Sequence, residues 1–570
     1  MTAPSIAEVT AALTAPGQMF EMQEVVIRGL PTRTWKTAPR SLREVLEASR
    51  AFGDRDFLVY EDDHCSFATH FASAAQLADK LVNEFGLRQG ERVAIAMRNF
   101  PEWSIAFWAA AAVGAVLVPL NAWWTGPELE YGLADSGSVM LFCDQERFER
   151  LAEHFDALTN LRTVIVAKAD GALGRGARHF RDVLGTVVPG AELPAVPIDP
   201  EDDATIFYTS GTTGRPKGAL GTQRNICTNL LSLVFASTRA AARSADDPRL
   251  AANAQTRTSD QNVYLLSVPF FHATGCHSIL VANLAFGGKI VIMYKWDPGR
   301  ALELIERERV TTFGGVPAMV WQVLEHPDFA KRDISSVKSV GYGGAPAAPE
   351  LVRRIEAMFP GRTPSNGYGL TETSSVTTMN SGTDYLRKPN SVGVPVPVCD
   401  VKVVDPDGRV LPTGDVGELW IKGPNVVKGY FNKPDATAAS FTDGWLHSGD
   451  IARLDDEGFV YIVDRAKDMI IRGGENVYCV EVEAALFEHP AVSDAAVIGI
   501  PHDVLGEEVG AVVHFAPGHH ATEEELRRHV AERLAAFKVP VRIWFYEEPL
   551  PRNPAGKILK RELREELLGK

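Results

Sequence analysis

The chain has 570 residues, of which 45% are hydrophobic and 23% are charged, and its formal net charge is −15. This length exceeds what a single hydrophobic core supports, so we expect two or more domains. The negative charge argues against a nucleic-acid-binding protein, because binding to a phosphate backbone requires a basic surface.

The N-terminal part of the chain gives no sign of export or of membrane insertion. Residues Met1–Glu8 lack the basic region and the apolar core of a signal peptide, and the six cysteines show no metal-ligand spacing. We therefore predict reduced thiols and a cytoplasmic location. Ser104–Trp124 is uncharged and long enough to cross a membrane, but it contains Gly114 and Pro119. We predict a buried helix followed by a buried strand there, and no transmembrane segment.

Strand-like and helical patterns alternate through the first 390 or so residues, which predicts α/β layers with mostly parallel strands. From about Gly393 to Val463, short strands alternate with turns, which predicts a small antiparallel β subdomain. After Asp468 the pattern is mixed, as in a compact α+β domain. Arg239–Asp260, rich in Ala, Arg, Ser and Asp, has the composition of a surface insertion or mobile loop.

The segment Tyr208–Gly218 has the composition of a phosphate-binding loop. It holds three glycines, four aliphatic hydroxyl groups and two cations, directly after the strand-like Ala204–Phe207. Glycines let backbone N–H groups surround an anion, and hydroxyls and a lysine add donors. A Walker loop ends in Gly-Lys-Ser/Thr, whereas Pro216 precedes Lys217 here and Gly218 follows it. The segment thus predicts a phosphate site, but not that of a P-loop nucleotidase.

Four further segments carry groups that suit a nucleotide or an acid. Val340–Pro346 is a strand ending in a glycine-rich turn, on whose bare backbone a planar ligand could lie. Asn366–Glu372 offers an amide, an aromatic ring, a hydroxyl and a carboxylate. Trp445–Asp450 ends in an aspartate suited to a vicinal diol, and Leu550–Lys557 places a lysine on a Gly-Pro loop. Each segment alone is also compatible with a turn, a helix cap or a solvated lysine.

Together, and in this order, the five segments resemble the motifs of the adenylate-forming superfamily, which comprises acyl-CoA synthetases, peptide-synthetase adenylation domains and luciferases. The resemblance covers nearly the whole chain and is greatest to bacterial acyl-CoA ligases, in Val268–His272, Tyr368–Glu372 and Arg472–Asn476. It implies a large N-terminal domain of α/β layers with a small β-barrel-like subdomain, residues 1–464. A small, mobile α+β C-terminal domain, residues 465–570, would carry the catalytic lysine.

The resemblance also implies a two-step reaction. A carboxylate attacks the α-phosphate of ATP, which releases pyrophosphate and leaves an acyl-adenylate, and the thiol of coenzyme A then displaces AMP. The implied catalytic residues are Lys557, which would bridge the carboxylate and the α-phosphate, Glu372, and His272 as an aromatic gate. Thr209 and Glu372 would bind Mg²⁺, a hard ion that prefers oxygen ligands. The implied ATP and AMP site comprises Thr209, Ser210, Gly211, Thr212, Thr213, Gly214, Lys217, Gly344, Ala345, Pro346, Asn366, Gly367, Tyr368, Gly369, Thr371, Asp450 and Arg465.

By the same resemblance, the rest of the site falls into an acyl pocket, a coenzyme A channel and a hinge at Lys467. The channel residues are Arg472, Gly473, Gly474 and Glu475. The pocket residues are His272, Gly275, Cys276, Val316, Met319, Gly343, Gly369 and Ser374. No arginine or lysine is among them, so we expect an apolar monocarboxylic acid, fatty or arylalkyl. Thr373–Ser375 stands where hydroxycinnamate-type ligases have Ala-Gly-Pro, which disfavours that acid class.

We therefore expect an ATP-dependent acyl-CoA ligase whose partner is a small carboxylic acid and not a nucleic acid; a homodimer is left open. Three alternatives remain. A stand-alone adenylating enzyme could pass its acyl group to an amine or a carrier protein, and a luciferase-like oxidation is possible in principle. From another class, the chain could be a nucleotide-binding pseudo-enzyme or sensor, which the presence of Lys557, Glu372 and Asp450 argues against.

Overall fold

The computed structural model describes residues 4–209, 215–248, 250, 261–344, 349–553 and 556–569. The chain begins with helix α1 (Ile6–Leu13) and the hairpin of β1 (Met22–Ile27) and β2 (Leu30–Trp35). Trp35 at the end of this hairpin packs against Phe235, with ring centroids 5.4 Å apart. The N-terminal segment is thereby attached to the large α/β unit that follows.

Two sheets form this large unit. Their strands are β3 (Asp56–Tyr60), β4 (Asp63–Ser66), β5 (Arg92–Ala96), β6 (Val116–Pro119), β7 (Met140–Asp144), β8 (Thr163–Ala167), β9 (Arg178–His179), β10 (Asp203–Thr209), β11 (Lys217–Thr222), β12 (Val263–Leu266), β13 (Lys289–Ile292), β14 (Thr312–Gly315), β15 (Ser339–Gly343), β16 (Thr363–Tyr368), β17 (Thr378–Ser381) and β18 (Val394–Pro395). The first sheet has the order β11-β10-β6-β5-β7-β8-β9, and the second has the order β18-β17-β16-β15-β14-β12-β13-β3-β4. Both are parallel in their centres and antiparallel at edges, at β10–β11 in the first and at β3–β4 and β16–β17–β18 in the second.

The helices of this unit are α2 (Leu42–Ala48), α3 (Phe67–Asn83), α4 (Pro101–Ala112), α5 (Gly126–Ser136), α6 (Gln145–Arg150), α7 (Phe180–Leu184), α8 (Gln223–Ser244), α9 (Ala282–Phe286), α10 (Pro298–Arg307), α11 (Pro317–Leu324), α12 (Pro349–Met358) and α13 (Thr383–Arg387). A π-helix, Thr274–Val281, leads directly into α9. Helices α3 and α4 share one hydrophobic core with strands of both sheets. Capping residues explain where several helices begin. The Ser66 side chain accepts from Thr69 N at the start of α3, and the Asp297 side chain accepts from Arg300 N at the start of α10, whose first residue is Pro298.

The predicted buried helix and strand within residues 104–124 are confirmed as α4 and β6. Both are buried almost throughout, with Trp103 and Trp108 fully enclosed. No helix in the described part of the chain combines the length and the apolar character that a membrane span needs.

The antiparallel β subdomain is confirmed by a five-stranded sheet. It contains β19 (Asp400–Val404), β20 (Gly417–Lys422), β21 (Phe441–Thr442), β22 (Trp445–Leu454) and β23 (Val460–Arg465), with helix α14 (Pro434–Ser440). Strand β22 pairs with β20, β21 and β23, and every pairing is antiparallel. The last residues of β23 lead into the C-terminal domain.

The C-terminal part has the predicted α+β character. Its strands are β24 (Ile470–Arg472), β25 (Glu475–Val477), β26 (Val492–His502), β27 (Gly506–Phe515) and β28 (Arg542–Tyr546), and its helices are α15 (Cys479–Phe487), α16 (Glu523–Ala531) and α17 (Lys560–Leu568). The strands form one sheet in which β28 is parallel to β27. A separate core of its own residues holds this part together.

The prediction of a loop from Arg239 onward is wrong for its first residues, because α8 continues to Ser244. Arg239 and Arg243 are buried, and the Arg243 guanidinium forms an ion pair with the Asp384 carboxylate. This tertiary partner outweighs a local composition that resembles a loop. Residues 249 and 251–260 of the predicted insertion lie outside the described residues.

Candidate functional site

The nucleotide-site candidates lie at the carboxyl ends of neighbouring parallel strands. Strands β15 and β16 pair so that Tyr342 is opposite Asn366 and Gly343 is opposite Gly367. A Cβ atom on Gly343 would lie 2.4 Å from the Gly367 carbonyl oxygen, so only glycine allows this approach. Gly344 has φ +74° and open space on its Cβ side, which leaves bare backbone at the strand end.

Asp450, Arg465 and Tyr368 form a connected polar group next to these strand ends. Asp450 in β22 is opposite Arg465 in β23, and its Oδ1 accepts from Arg465 Nε at 2.6 Å. The Tyr368 hydroxyl donates to Asp450 Oδ2 at 2.6 Å. Burial raises the pKa of Asp450, and the Arg465 cation opposes this rise. Each carboxylate oxygen keeps a lone pair, so the group can still accept from a vicinal diol.

A second cluster flanks the predicted phosphate loop. Thr209 at the end of β10 is opposite Lys217 at the start of β11, and its hydroxyl donates to the Lys217 carbonyl oxygen at 3.3 Å. Lys217 Nζ lies 4.9 Å from the centre of the Tyr430 ring, and the Tyr430 hydroxyl donates to Glu372 Oε1 at 2.7 Å. Thr371 and Glu372 belong to a short 3₁₀ helix, Thr371–Thr373. Ser210, Gly211, Thr212, Thr213 and Gly214, like Ala345 and Pro346, lie outside the described residues.

The structure brings the predicted catalytic lysine to this site from the C-terminal domain. A Cβ atom on Gly556 would lie 2.3 Å from Val316 Cγ2, so the Lys557 loop packs closely on the large domain. Lys557 keeps exposed surface in the cleft. Desolvation of its ammonium and the neighbouring Arg465 cation lower the pKa of Lys557 to about 8. Burial, together with the Lys557 charge, lowers the pKa of His272 to about 4, so His272 is neutral near pH 7.

An interdomain cleft of about 2010 Å³ joins the strand ends and the Asp450 group to Lys557, and Pro216 of the phosphate loop also lines it. Thr209, Lys217, Glu372 and His272 are not among the described residues that line it. Its wall includes Asn366–Leu370 and Asp450 from the large domain, Arg465 at the domain boundary and Lys557 from the C-terminal domain. Arg472–Glu475 does not belong to this wall as far as the described residues define it. It forms the turn between β24 and β25, with Gly473 and Gly474 at φ +60° and +90°, and Arg472 pairs with Glu508 at 2.7 Å.

Lys467, the predicted hinge residue, is exposed in the turn that follows β23. The next two residues, Asp468 and Met469, both donate their backbone N–H groups to the Arg465 carbonyl oxygen. The turn is thus closed on the same arginine that pairs with Asp450. A change of backbone angles at Lys467 would move the C-terminal domain without disturbing that pair.

The acyl-pocket candidates surround the ends of β12, β14, β15 and β16. His272 begins the turn that leads into the π-helix, and its carbonyl oxygen accepts from Cys276 N at 2.8 Å. Cys276 is fully buried in the main core, and burial raises the pKa of its thiol. Gly275 is held against the Pro269 carbonyl oxygen, where a Cβ atom would lie 2.1 Å away.

Of the remaining pocket candidates, Val316, Met319 and Ser374 are buried, whereas Gly343 and Gly369 are half-buried. Val316 and Met319 are 4% and 7% exposed. Gly369 passes so close to Ser375 that a Cβ atom would overlap the Ser375 carbonyl oxygen. Ser374 and Ser375 have positive φ values of 53° and 108°, a strain that is concentrated at functional sites in proteins.

Sequence reasoning missed several residues that complete the site. Tyr430 holds Glu372 and Lys217, but no motif marks it. Ser278 is the other case: within the π-helix only Thr274 and Ser278 keep accessible surface, and Ser278 Oγ lies 2.6 Å from Ser375 Oγ. A spacing of four residues places Thr274 and Ser278 on one helix face. That spacing is the only signal that could have indicated them.

Comparison with known proteins gives matches over most of the chain. The sequence profile described as AMP-binding enzyme matches residues 45–431, and that of the AMP-binding enzyme C-terminal domain matches residues 481–557. Feruloyl-CoA synthase of Amycolatopsis sp is 36% identical over 504 residues, covering 88% of this chain and 94% of the relative. A long-chain-fatty-acid–CoA ligase of Bacillus subtilis is 34% identical over 553 residues, covering 92% and 94%.

Among solved structures, the o-succinylbenzoate coenzyme A synthetase of Bacillus subtilis, in complex with ATP and a magnesium ion, superposes with a TM-score of 0.74. It is 30% identical to this chain, and the match covers 93% of this chain and all of that one. The likeness therefore includes both the large unit and the C-terminal part.

Proposed function

This chain belongs to the AMP-binding enzyme family and is an AMP-forming acyl-CoA ligase, and we propose that it activates an apolar monocarboxylic acid, fatty or arylalkyl. The enzyme joins the acid to AMP with release of pyrophosphate, and the coenzyme A thiol then displaces AMP to form the thioester. One observation carries the assignment of residues to these steps. Lys557 of the C-terminal domain lies in the same cleft as Asp450 of the large domain and Arg465 at the boundary between the two domains.

In the proposed site, the nucleotide would be bound by a carboxylate that can accept further hydrogen bonds and by backbone that no side chain covers. Asp450 and Arg465 would bind the ribose hydroxyls, with Tyr368 fixing the carboxylate. The bare backbone at Gly344 and the Tyr368 ring would enclose the flat adenine ring, whose amino edge would meet Asn366. Binding both reactants in one cleft removes much of the entropic cost of their encounter.

The remaining cations and the metal would act on the phosphates. Lys217 would hold the pyrophosphate that leaves, and Lys557 would neutralise the charge that develops between carboxylate and α-phosphate. Thr209 and Glu372 suit Mg²⁺, because they supply a hydroxyl and a carboxylate oxygen, the ligand type that this hard ion prefers. The ion would supply charge neutralisation on the phosphate oxygens.

We also propose the division of the chain at residues 464 and 465, with Lys467 as the hinge. In a second orientation the C-terminal domain would withdraw Lys557 and present Arg472–Glu475 to the thiol. The turn at Lys467 supports this, since its rotation leaves the Asp450–Arg465 pair in place. A cytoplasmic location and a homodimer stay predictions.

The acid class can be tested by a pyrophosphate-release screen over carboxylic acids. We expect apolar monocarboxylates to give the highest kcat/KM, because Val316 and Met319 supply an apolar wall and no described pocket candidate is a cation. Addition of coenzyme A should convert the adenylate to a thioester, which mass spectrometry would identify. A preference for a dicarboxylate or a free amino acid would refute the proposed acid, and an amide product from added amine would refute the acceptor.

The lowered pKa of Lys557 predicts a pH dependence of the first step. The charged ammonium is the active form, and it predominates below the pKa of about 8. The kcat/KM for adenylate formation should therefore be level below pH 8 and fall about tenfold per unit above it, since this ratio reports groups of the free enzyme. Lys557→Arg should abolish this fall in kcat/KM above pH 8. Thioester formation from added acyl-adenylate should not show the fall. If kcat/KM of the arginine variant still fell above pH 8, the fall would be due to the titration of another group.

A further inference from the structure

The hairpin that carries Lys557 is a small, tightly bonded unit. Arg552 and Ile558 form an antiparallel bridge across it. Between them, Asn553 N donates to the Lys557 carbonyl oxygen at 2.9 Å, and Lys557 N donates to Asn553 Oδ1 at 3.0 Å. These bonds set the shape of the hairpin, but they do not attach it to the rest of the domain.

At its first end the hairpin is attached through Arg552. The Arg552 Nη2 atom lies 2.6 Å from Asp494 Oδ2, and its Nη1 donates to the Gly556 carbonyl oxygen at 2.6 Å. Asp494 belongs to β26 and is only 8% exposed. One guanidinium therefore joins the central sheet of the domain to the residue directly before Lys557. Arginine suits this role because its planar group can form two directed bonds at once.

At its second end the hairpin is attached through Lys560, the first residue of α17. Lys560 Nζ lies 2.6 Å from Glu483 Oε1 on helix α15. The same carboxylate oxygen accepts from Val497 N at 2.8 Å, so Glu483 is itself fixed to β26. Both side chains of the pair are largely buried. Two ion-pair attachments, three residues after Lys557 and five before it, thus hold the hairpin, together with the packing of Ile558 against the cluster that contains Ala496 and Ile498.

The surroundings of Lys560 favour its charged form. Desolvation acts to lower the pKa of Lys560, but the charges of Glu483 and Asp468 raise it above its usual range. Asp464 also lies within electrostatic reach, and Cys479 Sγ donates to the Asp468 carbonyl oxygen at 2.9 Å. The Lys467 ammonium lies near enough to oppose this charge, since the Lys560 cation lowers the pKa of Lys467. Burial raises the pKa of the Glu483 carboxyl and the Lys560 cation opposes that rise, so the two charges stabilise each other across the contact.

We propose that Arg552 and Lys560 are positioning residues for adenylate formation, which hold the hairpin so that Lys557 enters the cleft at a fixed depth. This inference rests on the proposed role of Lys557. Space at the contact with the large domain is narrow, as the closeness of Gly556 to Val316 shows. A shift of about 1 Å in a reacting group can cost roughly 100-fold in rate. Attachment at both ends limits such shifts while the domain moves as one body.

The test uses the full-length enzyme and separates the two half-reactions. Lys560→Met alone would leave the Glu483 carboxylate buried without a partner, so it is combined with Glu483→Gln, whose amide oxygen can still accept from Val497 N. Arg552→Met is the variant at the other end, combined for the same reason with Asp494→Asn, whose amide oxygen can still accept from Ala495 N. Arg564→Met is the matched control, since Arg564 lies one turn along the same helix and pairs with Glu507 at 3.1 Å, away from the hairpin.

We expect K560M/E483Q and R552M/D494N each to lower kcat of ATP–pyrophosphate exchange by roughly 100-fold, with KM for ATP within about twofold of wild type. Thioester formation from added acyl-adenylate should be retained, Lys560→Arg should restore exchange, and Arg564→Met should match wild type. Exchange within about threefold of wild type in both variants, or equal losses in the two half-reactions, would overturn the inference. Lys557→Ala is run in parallel: full exchange in that variant would instead refute the role of Lys557.

Discussion

Replacement of Lys557 by alanine is expected to slow acyl-adenylate formation by about 100- to 1000-fold, the cost of removing one charged group that stabilises a transition state. Attack of a carboxylate on a phosphate brings two anions together, and Lys557 is a cation that the C-terminal domain places in the cleft near Asp450 and Arg465. ATP–pyrophosphate exchange measures this step directly. The fold should be unaffected, because Lys557 takes part in no ion pair among the described residues.

The second half-reaction provides the internal control for this variant. Thioester formation from added acyl-adenylate and coenzyme A should proceed close to the wild-type rate, because the bond to the α-phosphate already exists. Lys557→Arg should retain part of the exchange activity, since the charge remains while the longer group fits the site less well. If the alanine variant lost both half-reactions equally, Lys557 would instead serve the structure of the domain or its closure.

The order of elements could be predicted because it follows from local patterns. The β-branched run of Arg92–Ala96 is the strand β5, and the amphipathic run of Pro349–Met358 is the helix α12. The residues of Ser104–Trp124 formed a helix and a strand because Gly114 allows the chain to turn between them, at φ +70°. In each of these cases, the spacing of apolar residues along the chain matches the period of the strand or helix that buries them, so the element can be predicted locally.

Contacts between distant residues account for what the sequence did not reveal. Tyr430 reaches Glu372 across 58 positions and lies in a segment with no phosphate-site composition. Arg243 is paired with Asp384 across 141 positions, so a segment with the composition of a loop became the buried end of α8. Cys276 occupies a pocket position by resemblance, yet the first turn of the π-helix directs it into the core. The composition of a segment cannot indicate partners that are distant in the sequence.

The motifs at 208–218 and 550–557 illustrate the same limit within the proposed site. Each could be identified as a segment, but their meeting depends on how the C-terminal domain packs. The contact between Gly556 and Val316 joins residues 240 positions apart. It brings Lys557 close enough to His272 to lower the pKa of that imidazole. The sequence therefore indicated the parts of the reaction, whereas the structure supports their proposed arrangement in one cleft.

Replacement of Glu372 by glutamine should have a loss of similar size, about 100- to 1000-fold in ATP–pyrophosphate exchange. The amide keeps the shape of the side chain and can still accept from Tyr430, but it removes the negative charge that suits a hard divalent cation. The variant should need far more Mg²⁺ for half-maximal exchange. Calorimetric titration with ATP should show that added Mg²⁺ no longer strengthens binding as it does in the wild type.

Tyr430→Phe is the matched control, because it removes the hydrogen bond to Glu372 Oε1 and leaves the carboxylate in place. A lost hydrogen bond to a charged group is worth about 1.5–3 kcal/mol, so this variant should lose roughly ten- to hundredfold at limiting Mg²⁺ and recover as Mg²⁺ is raised. The charge itself is absent in Glu372→Gln, so that variant should recover only in part. Full recovery of both variants at high Mg²⁺ would show that Glu372 tunes the affinity for the ion but adds nothing to the transition state.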